Sequence, residues 1–547
     1  MNDLKEEFKI TFGRRYVSVF RMDEFPCAVS GLAQRIGVET KPIEVFNPAT
    51  GKTIGFALEP ILDKKLVKKV EEDARRAQEV WHHKVSEQEK EAVFRAIISL
   101  LEKYRGALAR TMILEGGKLW RWADAEVTET IDTLWHYHGE ISRCYSRHGF
   151  SRCQMPDKNA FSVRKPYGVF LSITPWNFPL AVPFWKICSQ LAGGNAVVVK
   201  DAEQTPFTLS IAVELIHRAI KDALGGNRAE ELNGLVQLIH GQGETAGDFL
   251  VKNLNYDKLS FTGSSEIGFR VASIAAGRGI PSYLELGGHA AIVVLDDFDI
   301  DLAVAEAINA NLGDSGQRCV SARVVFVQEN KFREFVRKYQ HAANKRIVGN
   351  PMDFESEMGP LISQEQVNRV LNQINNVAGG YRDFSNGGRI RKEEEKGCWV
   401  SPIMFTNVPY GKLVMDEEVF GPVIVINPLP GKNREEAFWN AVKLVNQSRQ
   451  GLSNSLLTND RLLASRAPWV FESGIFYIGR GPTGAELNKA FGGIKRSGWG
   501  REGRGIDETT YEMQIYDDYR GEARMAQAGA DEKVKEIISE AKSPFED

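Results

Sequence analysis

The sequence predicts an α/β protein with two doubly wound sheets, one following the other along the chain. Three observations predict it. From Val163 onward, apolar runs of strand length alternate with helix-length segments, the pattern that strand–helix–strand crossovers and parallel pairing produce. After about residue 288 a second series of such runs follows the first. Finally, 43% hydrophobic and 26% charged residues over 547 positions match an ordinary globular chain and exclude a disordered or collagen-like one.

Residues 1–45 lack clean periodicity and read as an N-terminal extension. A helix is predicted over Lys64–His82, with Asp63 as cap and Leu66, Val67, Val70, Ala74, Ala77 and Trp81 recurring on one face. Ser86 and Glu89 form a capping-box pair that starts a second helix, and a third lies near Ala123–His138. The first strand–helix series is Tyr167–Ile173, a helix over Pro183–Leu191 closed by Gly193–Gly194, Asn195–Lys200, a helix capped by Thr205 with Pro206 at its first position, Leu235–His240 and Lys258–Thr262. The second series contains the strands Ala290–Leu295, Ala322–Gln328, Val423–Pro428 and Gly474–Ile478. Ala530–Lys542 reads as a charged, peripheral helix.

Composition also bounds function. The net charge of −3 supplies no basic surface for nucleic acid or an anionic membrane. No run reaches the 18 or so apolar residues of a membrane span, and MNDLKEEFKI has no apolar core of a secretory signal. A cytoplasmic location is the expectation. The six cysteines (Cys27, Cys144, Cys153, Cys188, Cys319, Cys398) form no C-x-x-C pair, and the histidines at 82, 83, 136 and 138 have no convergent carboxylate or thiol. Thiols without a disulfide frame, and no metal, are expected.

Three segments carry candidate chemistry. FTGSSEIG (Phe261–Gly268) follows a strand; Gly263, Ser264 and Gly268 would let a helix N-terminus meet a phosphate, although such Gly–Ser helix starts are common. Lys200 and Glu203 stand at the C-terminal end of a strand, where open α/β sheets bind ligands, and both can bond a ribose diol; taken alone they also read as a solvated loop. LELGG (Leu284–Gly288) precedes GQRCVSA, in which Cys319 follows Arg318 on a Gly-containing loop. A neighbouring cation would favour the thiolate.

PWNFP (Pro175–Pro179), FTGSSEIG, LELGG, GQRC, EEVFGPV (Glu417–Val423) and FGGIKRSG (Phe491–Gly498) occur in this order, with FNPAT (Phe46–Thr50) ahead of them. Together they resemble the aldehyde dehydrogenase superfamily over Phe46–Tyr519. The resemblance implies an NAD-binding domain (46–146 and 167–287), a catalytic domain (288–504) and a small β oligomerisation flap (147–166 and 505–520), with a tail at 521–547. A homodimer or homotetramer acting on a small aldehyde is implied.

Carried over by motif, Cys319 is the nucleophile, forming a thiohemiacetal and then a thioester. Asn177 and the Cys319 N–H would make an oxyanion hole. Glu285 would activate water to release the acid, its pKa raised by an apolar pocket. Trp176, Lys200 and Glu203 resemble adenosine-ribose contacts, Gly263 and Ser264 the pyrophosphate site, and Glu418 and Phe420 the nicotinamide-ribose contacts. Glu203 would repel a 2′-phosphate, favouring NAD over NADP.

Two departures are His289, where Lys usually follows LELGG, and Ala490, where Pro usually precedes FGG; neither is expected to touch the reacting atoms. Thr483–Ala485 and the segment Glu115–Glu140 resemble the 1-pyrroline-5-carboxylate (glutamate semialdehyde) dehydrogenase branch, in which Gly484 and Ala485 would anchor the substrate carboxylate. Val320 replaces the Ser common there. The alternatives are a CoA-acylating semialdehyde dehydrogenase, against which Glu285 argues, and a non-catalytic protein of the same fold, which should have lost Cys319, Asn177 or Glu285.

Overall fold

The computed structural model describes residues 27–29, 39–144, 146–152, 158–375, 377, 382–383, 396–519 and 532–541. The chain divides into a large unit (1–144 and 165–511) and a small one (145–164 and 512–547).

The large unit contains two principal sheets. The first has six strands in the order Gly498–Trp499, Ser282–Glu285, Lys258–Thr262, Val169–Ile173, Ala196–Lys200, Val236–Ile239. All pair in parallel except Gly498–Trp499, which is antiparallel to Ser282–Glu285. The Ala196–Lys200 strand is buried at every position, as a sheet covered on both faces requires; its three consecutive valines each contribute roughly 1.5–3 kcal/mol by burial. The helix Lys64–His83 packs on this sheet through the predicted stripe. Asp63 accepts from the Leu66 N–H, and the Trp81 indole donates to Leu191 O at 2.8 Å. The Ser86–Glu89 capping box forms in full ahead of Glu87–Lys103.

The second sheet has seven strands in the order Arg382–Asp383, Ile403–Thr406, Val423–Leu429, Ala322–Gln328, Ala290–Val294, Ser453–Leu457, Ile475–Ile478. It is parallel apart from Arg382–Asp383. Helices Ile300–Leu312 and Glu329–Lys345 pack on one face.

Several elements differ from the sequence reading. Thr40–Asn47, which begins inside the stretch read as an extension, pairs with Lys52–Pro60. The helix Arg105–Gly116 was not foreseen; it stops at Gly117, whose φ of +67° is strained for any side chain and whose Cβ would meet the Pro360 ring at 2.7 Å. Thr205 precedes the helix Pro206–Leu224 but makes no side-chain cap. Glu115 does that work, accepting from the N–H groups of Phe207 and Thr208 at 2.7 and 2.9 Å.

The small unit is built on the strands Arg147–Arg152, Lys158–Pro166 and Thr510–Asp518, with Lys158–Pro166 in the middle. Its C-terminal helix spans Glu532–Ser539.

Candidate active site

In the first sheet Ile173 pairs with Phe261, and Thr262 with Glu285, so three parallel strands end at one edge. The chain leaving them delivers Pro175–Asn177, Gly263–Ser264 and Glu285 itself to the carboxyl edge, where such sheets bind ligands. There a cavity of about 680 Å³ opens. Trp176, Asn177, Gly263, Ser264, Glu285, Cys319, Glu418, Phe420, Gly484 and Ala485 all line it. Lys200 and Glu203 do not; they sit on the adjacent strand end as an ion pair, Nζ to Oε2 3.2 Å. His289 is buried outside the cavity wall, its Nε2 3.3 Å from Val414 O.

The loop carrying Cys319 is unusually constrained. Asp314 and Ser315 have φ of 53° and 56° and Gly316 73°, conformations that cost non-glycine residues about 1–3 kcal/mol each and persist only when over-determined by surroundings. The Ser315 hydroxyl donates to Gly359 O at 2.9 Å, Gln317 Oε1 accepts from the Ile362 N–H at 2.9 Å, and the buried Arg323 donates to Gly316 O at 2.8 Å and Gly421 O at 3.0 Å. The Asn177 side chain donates to Gln317 O at 2.8 Å, two residues before the thiol. A Cβ at Gly288 would lie 2.2 Å from Cys319 O, so the LELGG turn approaches the Cys319 loop as only glycine permits.

The electrostatics differ from expectation at the thiol. Burial, then the carboxylates of Glu418 and Glu285, push Cys319 up to about 12; Arg318 acts in the thiolate-favouring direction and is outweighed. Glu285 is raised well above the usual carboxylate range, first by burial and second by Glu502, with Lys186 and Arg501 opposing. Both Glu285 oxygens are buried without a hydrogen-bond partner. Lys186 and Glu502, both buried, form an ion pair beside it.

On the cofactor side, Ser264 caps the helix Ser265–Gly277, accepting from the Ile267 N–H at 3.4 Å. Gly263, Ser264, Ser265 and Glu266 at that helix start face the cavity. The Thr262 hydroxyl is buried without a partner, and Glu418 Oε1 has only the Arg323 guanidinium at 3.7 Å. Burial pushes Glu418 up to about 7, against Arg323. The Trp176 and Phe420 rings meet edge to face, centroids 5.4 Å apart. A helix start, two under-satisfied polar groups and aromatic faces suit a nicotinamide dinucleotide laid along this wall.

Sequence reasoning missed Glu129, Trp185, Lys186 and Glu502. Glu129 lines the same cavity; burial, then Glu126, raise it to about 7. It lies within the Glu115–Glu140 segment singled out from the sequence. Arg318 also lines the cavity, its guanidinium 5.2 Å from the Trp122 ring centre and 5.6 Å from that of Phe178, and its Nε is buried without a partner. The charge at Lys186 and Glu502 becomes visible only through the fold, since 316 positions separate them.

Residues 36–515 match the model of the aldehyde dehydrogenase family. An aldehyde dehydrogenase of Emericella nidulans is 32% identical over 85% of this chain and 89% of its own length. Human retinal dehydrogenase 2 is 32% identical, covering 89% of each. The crystal structure of betaine aldehyde dehydrogenase from Staphylococcus aureus with NAD+ superposes with a TM-score of 0.80 at 28% identity, covering 89% of this chain and 92% of that one. The motif order, the paired sheets and these similarities agree: the chain belongs to the aldehyde dehydrogenase family of NAD-dependent oxidoreductases.

Proposed function

We propose that the protein oxidises an aldehyde bearing a distal carboxylate, glutamate 5-semialdehyde being the leading candidate, to the acid through a covalent thioester. The observation that carries this reading is the convergence of Cys319, Asn177 and Glu285 in one cavity, with the Asn177 amide bonded to the nucleophile loop. The Cys319 thiol loses its proton to solvent water and its sulfur attacks the carbonyl carbon, the C=O π pair moving to oxygen. One N–H of the Asn177 amide is committed to Gln317 O; the other, with the Cys319 backbone N–H, serves the developing oxyanion. The Ser264–Phe420 wall would hold NAD, which would supply the hydride acceptor. Lys200 and Glu203 would hold the adenosine ribose, Ser264 the pyrophosphate, and Glu418 and Phe420 the nicotinamide ribose. Glu285 then takes a proton from the water that attacks the thioester, releasing the acid and the Cys319 thiol. A base placed for water is what a CoA-acylating enzyme does without.

The substrate assignment rests on the chemistry of the cavity walls. Gly484 and Ala485 stand exposed at the cavity wall, and Gly484 takes a φ of +92° with the Arg480 Nη2 2.6 Å from where a Cβ would be. Backbone N–H groups of such a turn suit a carboxylate. Arg318 adds a cation and Glu129 an acid, the pair a zwitterionic aldehyde would use. A charge-assisted hydrogen bond contributes roughly 1.5–3 kcal/mol. Glutamate 5-semialdehyde should therefore exceed an isosteric neutral aldehyde in kcat/KM by about tenfold to a hundredfold. Followed by NADH absorbance, equal values for the two would remove this substrate class.

A further inference from the structure

One buried cation touches the segments that flank both halves of the proposed oxyanion hole. The Lys118 Nζ lies 2.6 Å from Glu126 Oε2 and 3.3 Å from Asp314 Oδ2, with the three side chains 5%, 0% and 8% exposed. It also sits 3.9 Å from the centre of the Phe178 ring, the neighbour of Asn177. The other oxygen of Glu126 accepts from the N–H groups of Leu180 and Ala181 at 2.9 and 3.0 Å. These open the helix Ala181–Ala192, immediately beyond the PWNFP segment. Asp314 begins the left-handed turn that leads to Cys319. Burial disfavours the ammonium, but Asp314 and Glu126 outweigh it, and Lys118 stays protonated.

We propose that Lys118, with Glu126 and Asp314, is a positioning group that sets the spacing between the Asn177 amide and the Cys319 loop. Glu126 ties the cation to the segment after Asn177, and Asp314 ties it to the strained turn before Cys319. None of the three is among the residues lining the cavity, so the effect is on the placement of the oxyanion donors. This inference rests on the assignment of Asn177 and Cys319 above.

The test uses Glu126→Gln, which keeps an oxygen for Leu180 and Ala181 but removes the charge facing Lys118. Lys118→Met and Lys118→Arg accompany it. Because Lys118→Met leaves two buried carboxylates unpaired, Glu126→Gln decides the matter if that variant does not fold. NAD binding by titration calorimetry should equal wild type. The NADH burst rate should fall by about a hundredfold, as misplaced reacting groups require, with aldehyde KM unchanged and iodoacetamide alkylation of Cys319 altered less than about threefold. Alkylation has no oxyanion to stabilise, so a general loosening of the loop would change both rates together. On an Asn177→Ala background Glu126→Gln should add little, and Lys118→Arg should recover part of what Lys118→Met loses.

A wild-type burst in folded Glu126→Gln, equal losses in burst and alkylation, or full multiplication with Asn177→Ala would each overturn the proposal. An unchanged burst in Asn177→Ala itself would instead overturn the oxyanion-hole assignment, and this proposal with it.

Discussion

The Asn177 side-chain amide and the Gln317 carbonyl, 140 positions apart in sequence, are joined by a hydrogen bond of 2.8 Å. That bond ties the end of a strand in the first sheet to the loop that presents Cys319. The bond holds the amide proposed as oxyanion donor against the loop of the proposed nucleophile, which is the preorganisation that stabilising a transition-state charge requires.

The elevated Cys319 pKa has a direct consequence. With the thiol pushed up to about 12 by burial and the acids Glu418 and Glu285, the cofactor-free enzyme holds Cys319 protonated at neutral pH. Its alkylation by iodoacetamide should climb steadily with pH to 10 without a plateau. A plateau near pH 7 would show that Arg318 prevails after all.

Glu285 titrates in a field set by its neighbours. Its raised pKa means it is protonated and idle at low pH and becomes a base only as pH rises through that value. Glu502 is the second cause of the elevation and Lys186 opposes it. Glu502→Gln removes the raising charge and frees Lys186 from its partner. The ascending limb of kcat should therefore move to lower pH, by about one unit for the loss of a close charge. A pH–rate profile with an unmoved or upward-shifted limb would contradict this.

Glu203, three residues beyond Lys200 and paired with it, sets cofactor choice if it holds the adenosine ribose as proposed. A 2′-phosphate against its carboxylate meets like-charge repulsion of about 1–4 kcal/mol at close range. Glu203→Ser should raise NADP use relative to NAD in paired kcat/KM measurements. A wild-type enzyme that already prefers NADP would show that this residue has another role.

Much of this architecture is legible in the residues. The caps at Asp63 and Ser86, the apolar stripe from Leu66 to Trp81 and the valine run before Lys200 are local signals, and each forms as read. What escaped has long-range causes. Glu115 caps the helix at Pro206 from 92 positions away, so the local rule pointed to Thr205. Ser282–Glu285 and Ser453–Leu457 are short strands with polar residues, buried only because both faces of their sheets are covered. The motifs singled out Cys319, Glu285 and Asn177, which the fold brings to one cavity, but the protonation of Cys319 and Glu285 follows first from burial. Arg318, adjacent in sequence, is weaker at the thiol than the desolvation that the fold imposes. Glu129 lies in a segment that resembled a branch only as a whole, and Lys186 and Glu502 carry no local signal of their buried pairing.

The central claim is that Cys319 carries the acyl group and Glu285 releases it. The most direct measurement mixes the Glu285→Gln variant with NAD and aldehyde, follows NADH rapidly, and acid-quenches the protein for peptide mass spectrometry. The variant should give a burst of one NADH per active site, a slow steady state, and the acyl mass on the peptide containing Cys319. A first turnover as slow as the later ones, with Cys319 unmodified, would contradict it.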